Sequence, residues 1–440
     1  MKITGLITEY NPFHNGHLYH INKARELTNA DFVIVVMSGD FVQRGYPAIV
    51  DKFTRANMAL AEGADLVLEL PSCYATSSAE YFALGAVSLL EHLGCVDSLV
   101  FGSECGDLSS LASLSDILYS EPPMYQSALK EALAKGFSYP AARIQAIHAL
   151  PSMAKDCSAL LKEPNNILAI EYLKALKRCN SSMTPYTIKR SGEGYHSENL
   201  HHGTSSATAI RKILLSSEYA LEETSRQMYS TKHHLTQAET SIPSQRYSME
   251  CGIAQLKHQI PAQAYSILLR SLAQNKPMDM NAFSEVLSYA LILNQHRLTD
   301  YLDIDTCLAN RICNHLHDYT TITAFADLIK NKAYTHTRIT RALSHILLNL
   351  TKEDMGLFLQ EGISFYGRAL GFRRSAAPLL KQIKTQADIP LITKLSQQEK
   401  HLSSAGMCML SKDLQSSQLY MKTQKKDMAY NEYTKPLIIL

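Results

Sequence analysis

The sequence predicts an α/β protein: a parallel sheet covered by helices, followed by a mostly α-helical second half. Three observations predict it. Short apolar runs alternate with helical patterns through residues 1–215, the signature of βαβ units. The first run opens directly into Pro12-Phe13-His14-Asn15-Gly16-His17, which reads as strand, turn and helix start. Beyond residue 215 helical periodicity continues almost to the end. The sheet so described is Rossmann-like.

Each element follows in order. Ile3–Ile7 is a strand and His17–Thr28 a helix; Phe32–Met37 is the second strand. Asp51 is placed to cap a helix reaching Glu62, and Asp65–Leu70 is the third strand. Ser77–Leu93 is helical, Leu99–Phe101 a fourth strand, and residues 107–183 mostly helical. Tyr186–Lys189 makes one more strand and Ser205–Leu215 one more helix. The polar stretch Ser216 to Arg246 lacks a period and reads as a linker, dividing the chain into domains 1–215 and 216–440. The apolar tail Pro436–Leu440 is expected to pack. Parallel sheets bind ligands at the carboxyl ends of their strands. That rule singles out Thr8 to His17, Ser38-Gly39-Asp40 and Phe101-Gly102-Ser103-Glu104.

Composition sets bounds. The 440 residues are 46% hydrophobic and 19% charged, as in soluble globular proteins with room for two or three domains. No signal peptide and no stretch of roughly 18 apolar residues is visible. Nine cysteines without CxxC pairs suit reduced thiols in a cytoplasmic protein. Charge is uneven: residues 330–435 carry 17 Lys and Arg against 8 Asp and Glu. A basic third on a near-neutral chain suits a polyanionic partner or a solubilising surface.

The chemistry concentrates at the first turn. Helix N-terminal amides face an anion and the helix dipole favours it, so this turn suits a nucleotide phosphate. Gly16 lets backbone approach closely. His14 and His17 are candidate catalytic donors to phosphate oxygens as charge builds up. A zinc pair is the competing reading, but zinc needs a third ligand and only His20 continues that face. The segment Thr204-Ser205-Ser206-Ala207-Thr208-Ala209-Ile210-Arg211 offers hydroxyls and a guanidinium suited to a leaving pyrophosphate. By itself it is only a helix cap.

A His-x-Gly-His turn after strand one, with a Ser/Thr-rich segment ending in Ile-Arg, resembles the nucleotidyltransferases related to class I aminoacyl-tRNA synthetases. Residues 5–19, 37–45 (MSGDFVQRG), 63–71 (GADLVLELP), Phe101–Glu104 and Pro164–Leu168 are similar to the tRNA(Met) cytidine acetate ligase family. So are Tyr334–Arg341, His345–Asn349 and Leu370–Arg373. One departure is Tyr46, where the family has an acidic residue. The resemblance implies an ATP-dependent ligase with two steps. Acetate attacks the α-phosphate, giving acetyl-adenylate and pyrophosphate. The wobble cytidine of elongator tRNA(Met) then takes the acetyl group on N4, releasing AMP. It implies an ATP site of Ile7, Thr8, Glu9, Tyr10, Asn11, Pro12, Phe13, His14, Asn15, Gly16, His17, Leu18, Tyr19 and His20. Gly102, Asn166, Arg190, Ser205, Ser206, Thr208 and Arg211 complete that site. Mg²⁺ is expected with the ATP, held by phosphates and water rather than by a carboxylate cage. Neither DNA nor a membrane is called for.

The RNA contact is sought on residues 334–352. Ile339, Ala342, Leu343, Ile346, Leu347 and Leu350 mark a buried helix face. Arg338, Arg341, His345 and Lys352 fall together on another, and Arg368, Arg373 and Arg374 add charge nearby. Such clusters bind phosphate backbones. Near the second strand end, Asp40, Gln43, Arg44 and Lys52 are candidates to steer acetate or grip RNA. Two other classes compete: a nucleotidyltransferase acting on a small cofactor precursor, and a non-enzymatic RNA-binding protein. The basic half argues against the first, the intact histidines against the second.

Overall fold

The computed structural model describes residues 1–150, 157–190, 206–216, 255–396, 401–424 and 429–440. The linker expected at 216–246 lies outside them beyond Ser216, as does Ser205.

The first half builds five parallel strands: β1 (Ile3–Thr8), β2 (Phe32–Ser38), β3 (Leu66–Leu70), β4 (Ser98–Ser103) and β5 (Thr184–Lys189). Their order, β5-β4-β1-β2-β3, reverses direction at β1. Such a reversal opens a crevice between the carboxyl ends of β1 and β4. Helix α1 (Asn15–Thr28) starts in that crevice, and α2 (Lys52–Ala61) links β2 to β3. Apolar side chains alternate across the sheet. Ile3, Ile7, Ile34 and Val36 face one core with the helices Ala79–His92 and Pro164–Arg178. Leu6, Val33, Val35 and Met37 face the other with α1, α2 and the helix Ala262–Leu272. Strands buried on both faces are what a near-continuous aliphatic run makes in a parallel sheet.

The second half is not purely helical. Gly367–Phe372 forms β6, antiparallel to β3, and carries the short strands β7 (Leu391–Ile392) and β8 (Ile438–Ile439). The C-terminal tail therefore does pack, by pairing with the sheet. The first core runs on into this half through Phe283, Leu287, Phe325, Leu343 and Phe358. Among the described residues no helix is long and apolar enough to cross a membrane.

One buried charge network ties the halves together. Lys52 Nζ lies 2.7 Å from Glu69 Oε1, 2.5 Å from Glu432 Oε1 and 2.6 Å from Ser417 Oγ. Arg368 reaches Glu69 at 3.0 Å and Glu432 at 2.6 Å. Two cations and two carboxylates balance, as burial demands. The expectation that Lys52 steers acetate or RNA is corrected here: it is fully buried and committed.

Candidate active site

The histidine turn is built by its own backbone. His14 is the N-cap of α1, and its Nδ1 accepts the Gly16 N–H at 3.0 Å. The His17 Nδ1 accepts the His14 N–H at 3.2 Å. The pair forms a reciprocal capping box made of imidazoles, with rings stacked 3.7 Å apart. This bonding assigns the tautomer: an Nδ1 that accepts carries no proton, so a neutral ring carries it on Nε2. Burial, followed by the charges of Arg190 and Arg211, lowers the His14 pKa to about 3. Burial and His14 push His17 well below the ordinary histidine range, and burial lowers His20 to about 4. All three rings are neutral at pH 7. His14 and His17 are therefore fixed donors, Nε2–H outward, rather than cations.

The rest of the turn supports this geometry. Tyr10 and Phe13 are buried and pack on the His17 ring, at 4.8 and 5.6 Å between centroids. Asn11 Oδ1 accepts the Ile49 N–H at 2.8 Å, and Asn15 donates to the His258 and Gln259 carbonyls. Fully buried Arg55 donates to the carbonyls of Glu9, Ser38, Gly39 and Val50, joining the loops after β1 and β2. Arg211 donates to the Asn11 carbonyl at 2.8 Å and to Thr208 Oγ1 at 3.0 Å. The helix 207–216 that carries it thus docks on the histidine turn, with Ser206 at its start. Gly102 is the next-to-last residue of β4, and a Cβ added there would lie 3.3 Å from the Arg190 Cγ.

Asn166 is buried at the same strand end, with Oδ1 taking the N–H groups of Glu104 and Cys105 at 3.0 and 3.1 Å. Glu104 in turn accepts the N–H groups of Asn165 and Asn166, capping the helix Pro164–Arg178. Cap and latch are thus its evident work, with its amide nitrogen the remaining donor. The structure brings His14, His17, His20, Arg190 and Arg211 together and places Gly102 and Asn166 beside them. Ile7, Tyr10 and Phe13 turn their side chains into the cores, so only their backbone faces the crevice. Thr8, Glu9, Asn11, Pro12, Asn15, Gly16 and Leu18 form the frame, and Tyr19 is exposed on α1. Sequence reasoning missed Arg55. A basic residue inside an apolar helix face, in α2, was the available signal.

The expected basic face needs correction. On the helix His336–Leu347, His345 is fully buried, with its ring nitrogens on the Leu302 and Thr76 carbonyls at 3.2 and 3.0 Å. It cannot meet RNA. Arg341 is paired with Asp303 at 2.8 Å, and Arg338 with Asp305 at 2.9 Å. Lys352 donates to the Ile304 carbonyl. Among the described residues Arg373 and Arg374 make no ion pair. A cleft of about 200 Å³ opens elsewhere, beside Tyr119, Lys174 and Arg178. Its buried carboxylate, Glu171, already holds Arg143 and Lys174.

Paired imidazole donors at a helix N-terminus beside the β1/β4 reversal, with the guanidinium groups of Arg190 and Arg211 close by, define a nucleotidyltransferase of the HIGH class. The HIGH Nucleotidyl Transferase family model matches residues 1–435. A tRNA(Met) cytidine acetate ligase of Thermoanaerobacter sp. (strain X514) is 40% identical over 442 residues, covering all of both chains. One of Acetivibrio thermocellus is 37% identical, again over the whole of both. The crystal structure of Thermotoga maritima TmcAL bound with alpha-thio ATP has a TM-score of 0.86 at 29% identity, covering all of both chains. Its apo form gives 0.88. The chain belongs to the tRNA(Met) cytidine acetate ligase family.

Proposed function

We propose that this protein is an ATP-dependent ligase that activates acetate and acetylates N4 of the wobble cytidine of elongator tRNA(Met) in the cytoplasm. The observation that carries the reading is the pair of neutral, Nε2-protonated histidines at the N-terminus of α1. In the first step an acetate oxygen attacks the α-phosphorus and the bond to the β-phosphate oxygen breaks. Negative charge then grows on non-bridging and leaving oxygens. His14 and His17 donate to those oxygens without having to change protonation state. Arg190 and Arg211 neutralise the departing pyrophosphate, with Ser206 and Thr208 alongside. Gly102 and Asn166 lie where the nucleoside would rest. In the second step the cytidine N4 attacks the acetyl carbonyl, the acyl–phosphate bond breaks, AMP leaves and N4 releases a proton. Mg²⁺ enters with ATP as the counter-ion of its phosphates. The tRNA contact is assigned to Lys352, Arg373 and Arg374, while Arg338, Arg341 and His345 hold their helix in place. The test is acetate labelling of a tRNA(Met) transcript. The expected product is N4-acetylcytidine that depends on ATP and not on coenzyme A. ATP–pyrophosphate exchange driven by another acid, with no label in the tRNA, would reject the acetate assignment.

A further inference from the structure

The turn that follows β2 is bonded to both halves of the chain. It is a small hairpin: Phe41 pairs with Pro47, and the Val42 N–H meets the Tyr46 carbonyl at 2.9 Å. On one side the Gln43 N–H donates to Glu9 Oε1 at 3.0 Å, directly before the histidine turn. On the other side it docks on the helix His336–Leu347. Thr340 Oγ1 donates to the Arg44 carbonyl at 2.7 Å, and Ser344 Oγ donates to the Gly45 carbonyl. Thr340 and Ser344 are both buried, so these bonds are not shared with solvent. Gly45 has φ +76°, and a Cβ there would lie 2.7 Å from the Arg341 Cα. Only glycine allows so close an approach. Beneath the turn, Phe41 packs between the rings of Phe283 and Tyr420, at 5.5 and 6.1 Å.

Its location says what it can position. Gly102, Asn166 and Arg190, assigned above to the nucleotide, cluster on the β4 side of β1, while Arg211 bridges toward the turn through the Asn11 carbonyl. The turn sits on the β2 side, between the histidine loop and the helix that carries Arg338. We infer that the turn 42–46 is a positioning element for acyl transfer, setting the RNA-bearing helical half in register with the activated acyl group. Thr340 and Ser344 are its positioning residues. The inference rests on the ligase reading above and adds the part that couples its two half-reactions.

The test separates those half-reactions in the full-length protein carrying Thr340→Val with Ser344→Ala. Acetate-dependent ATP–pyrophosphate exchange is expected within about twofold of wild type. Transfer of acetyl to tRNA(Met) is expected to fall at least tenfold in kcat, with KM for tRNA within twofold. Thr340→Ser, which keeps the hydroxyl, is expected to restore transfer when paired with native Ser344. Equal loss in both half-reactions would reduce the contact to general support of the fold and overturn the inference. So would unchanged transfer. A wild-type protein with no acetate-dependent exchange would instead overturn the ligase reading, and this inference with it.

Discussion

His14 does two jobs that a serine or aspartate cap could not combine. Its Nδ1 satisfies the Gly16 amide while its Nε2–H is left to a ligand. The two roles can be separated. Asparagine at this position still accepts from an N2 amide but has no donor where Nε2 stands. His14→Asn is expected to keep unfolding free energy within about 1 kcal/mol and to lower acetate-dependent exchange about 100-fold. Exchange near wild type would remove His14 from the chemistry. Acid should also reveal this residue. The folded pKa is about 3 and the ordinary value 6.5, so between those values the unfolded chain binds more protons. Stability therefore falls as pH drops below 6.5. From pH 7 to 5 His14 alone accounts for about 2 kcal/mol of that loss, which His14→Asn should abolish in urea titrations at the two pH values. The histidines themselves were legible in sequence, because strand, turn and glycine lie within a few residues of one another. Their protonation was not, since it depends on burial and on Arg190 and Arg211, far away in the chain.

At the level of elements, β1 to β5 were legible and β6 was not. Aliphatic runs such as Phe32–Ser38 announce a buried parallel strand. Gly367–Phe372 holds two glycines and an arginine and has no such run. It becomes a strand because Arg368 lies in register with Glu69 on β3 and meets its carboxylate. That partner is some 300 positions away, beyond the reach of periodicity. The pair makes a prediction about the element. Arg368→Met leaves Glu69 and Glu432 buried with Lys52 alone, and should cost about 3–5 kcal/mol in urea unfolding. Adding Glu432→Gln removes the surplus charge, so the double variant should be more stable than the two single losses combined predict. Strict additivity would mean that the network is not coupled. The helix His336–Leu347 teaches a similar lesson. Its apolar face was read correctly, yet its cations are met by Asp303 and Asp305, which lie outside the window that defined it.

For the whole molecule, the question is where a polyanion would dock on a chain whose formal net charge is only +2. The excess of positive charge in residues 330–435 is real, but part of it is spent internally on Asp303, Asp305 and Glu69, which lie outside that stretch. Paired guanidinium groups release no counterions when RNA binds, because the phosphate must first displace a carboxylate. Arg373, just after β6, has no such competitor among the described residues, and the exposed Arg374 follows it. The order of effects follows. Arg373→Ala with Arg374→Ala should weaken tRNA(Met) binding and lower the slope of log affinity against log salt by about 1–2. Arg341→Gln should leave that slope unchanged, since its charge is already met by Asp303. Filter binding of the transcript across a salt series distinguishes them. A slope that falls for Arg341→Gln and not for Arg373→Ala with Arg374→Ala would place the RNA on the helix face instead of at the end of β6.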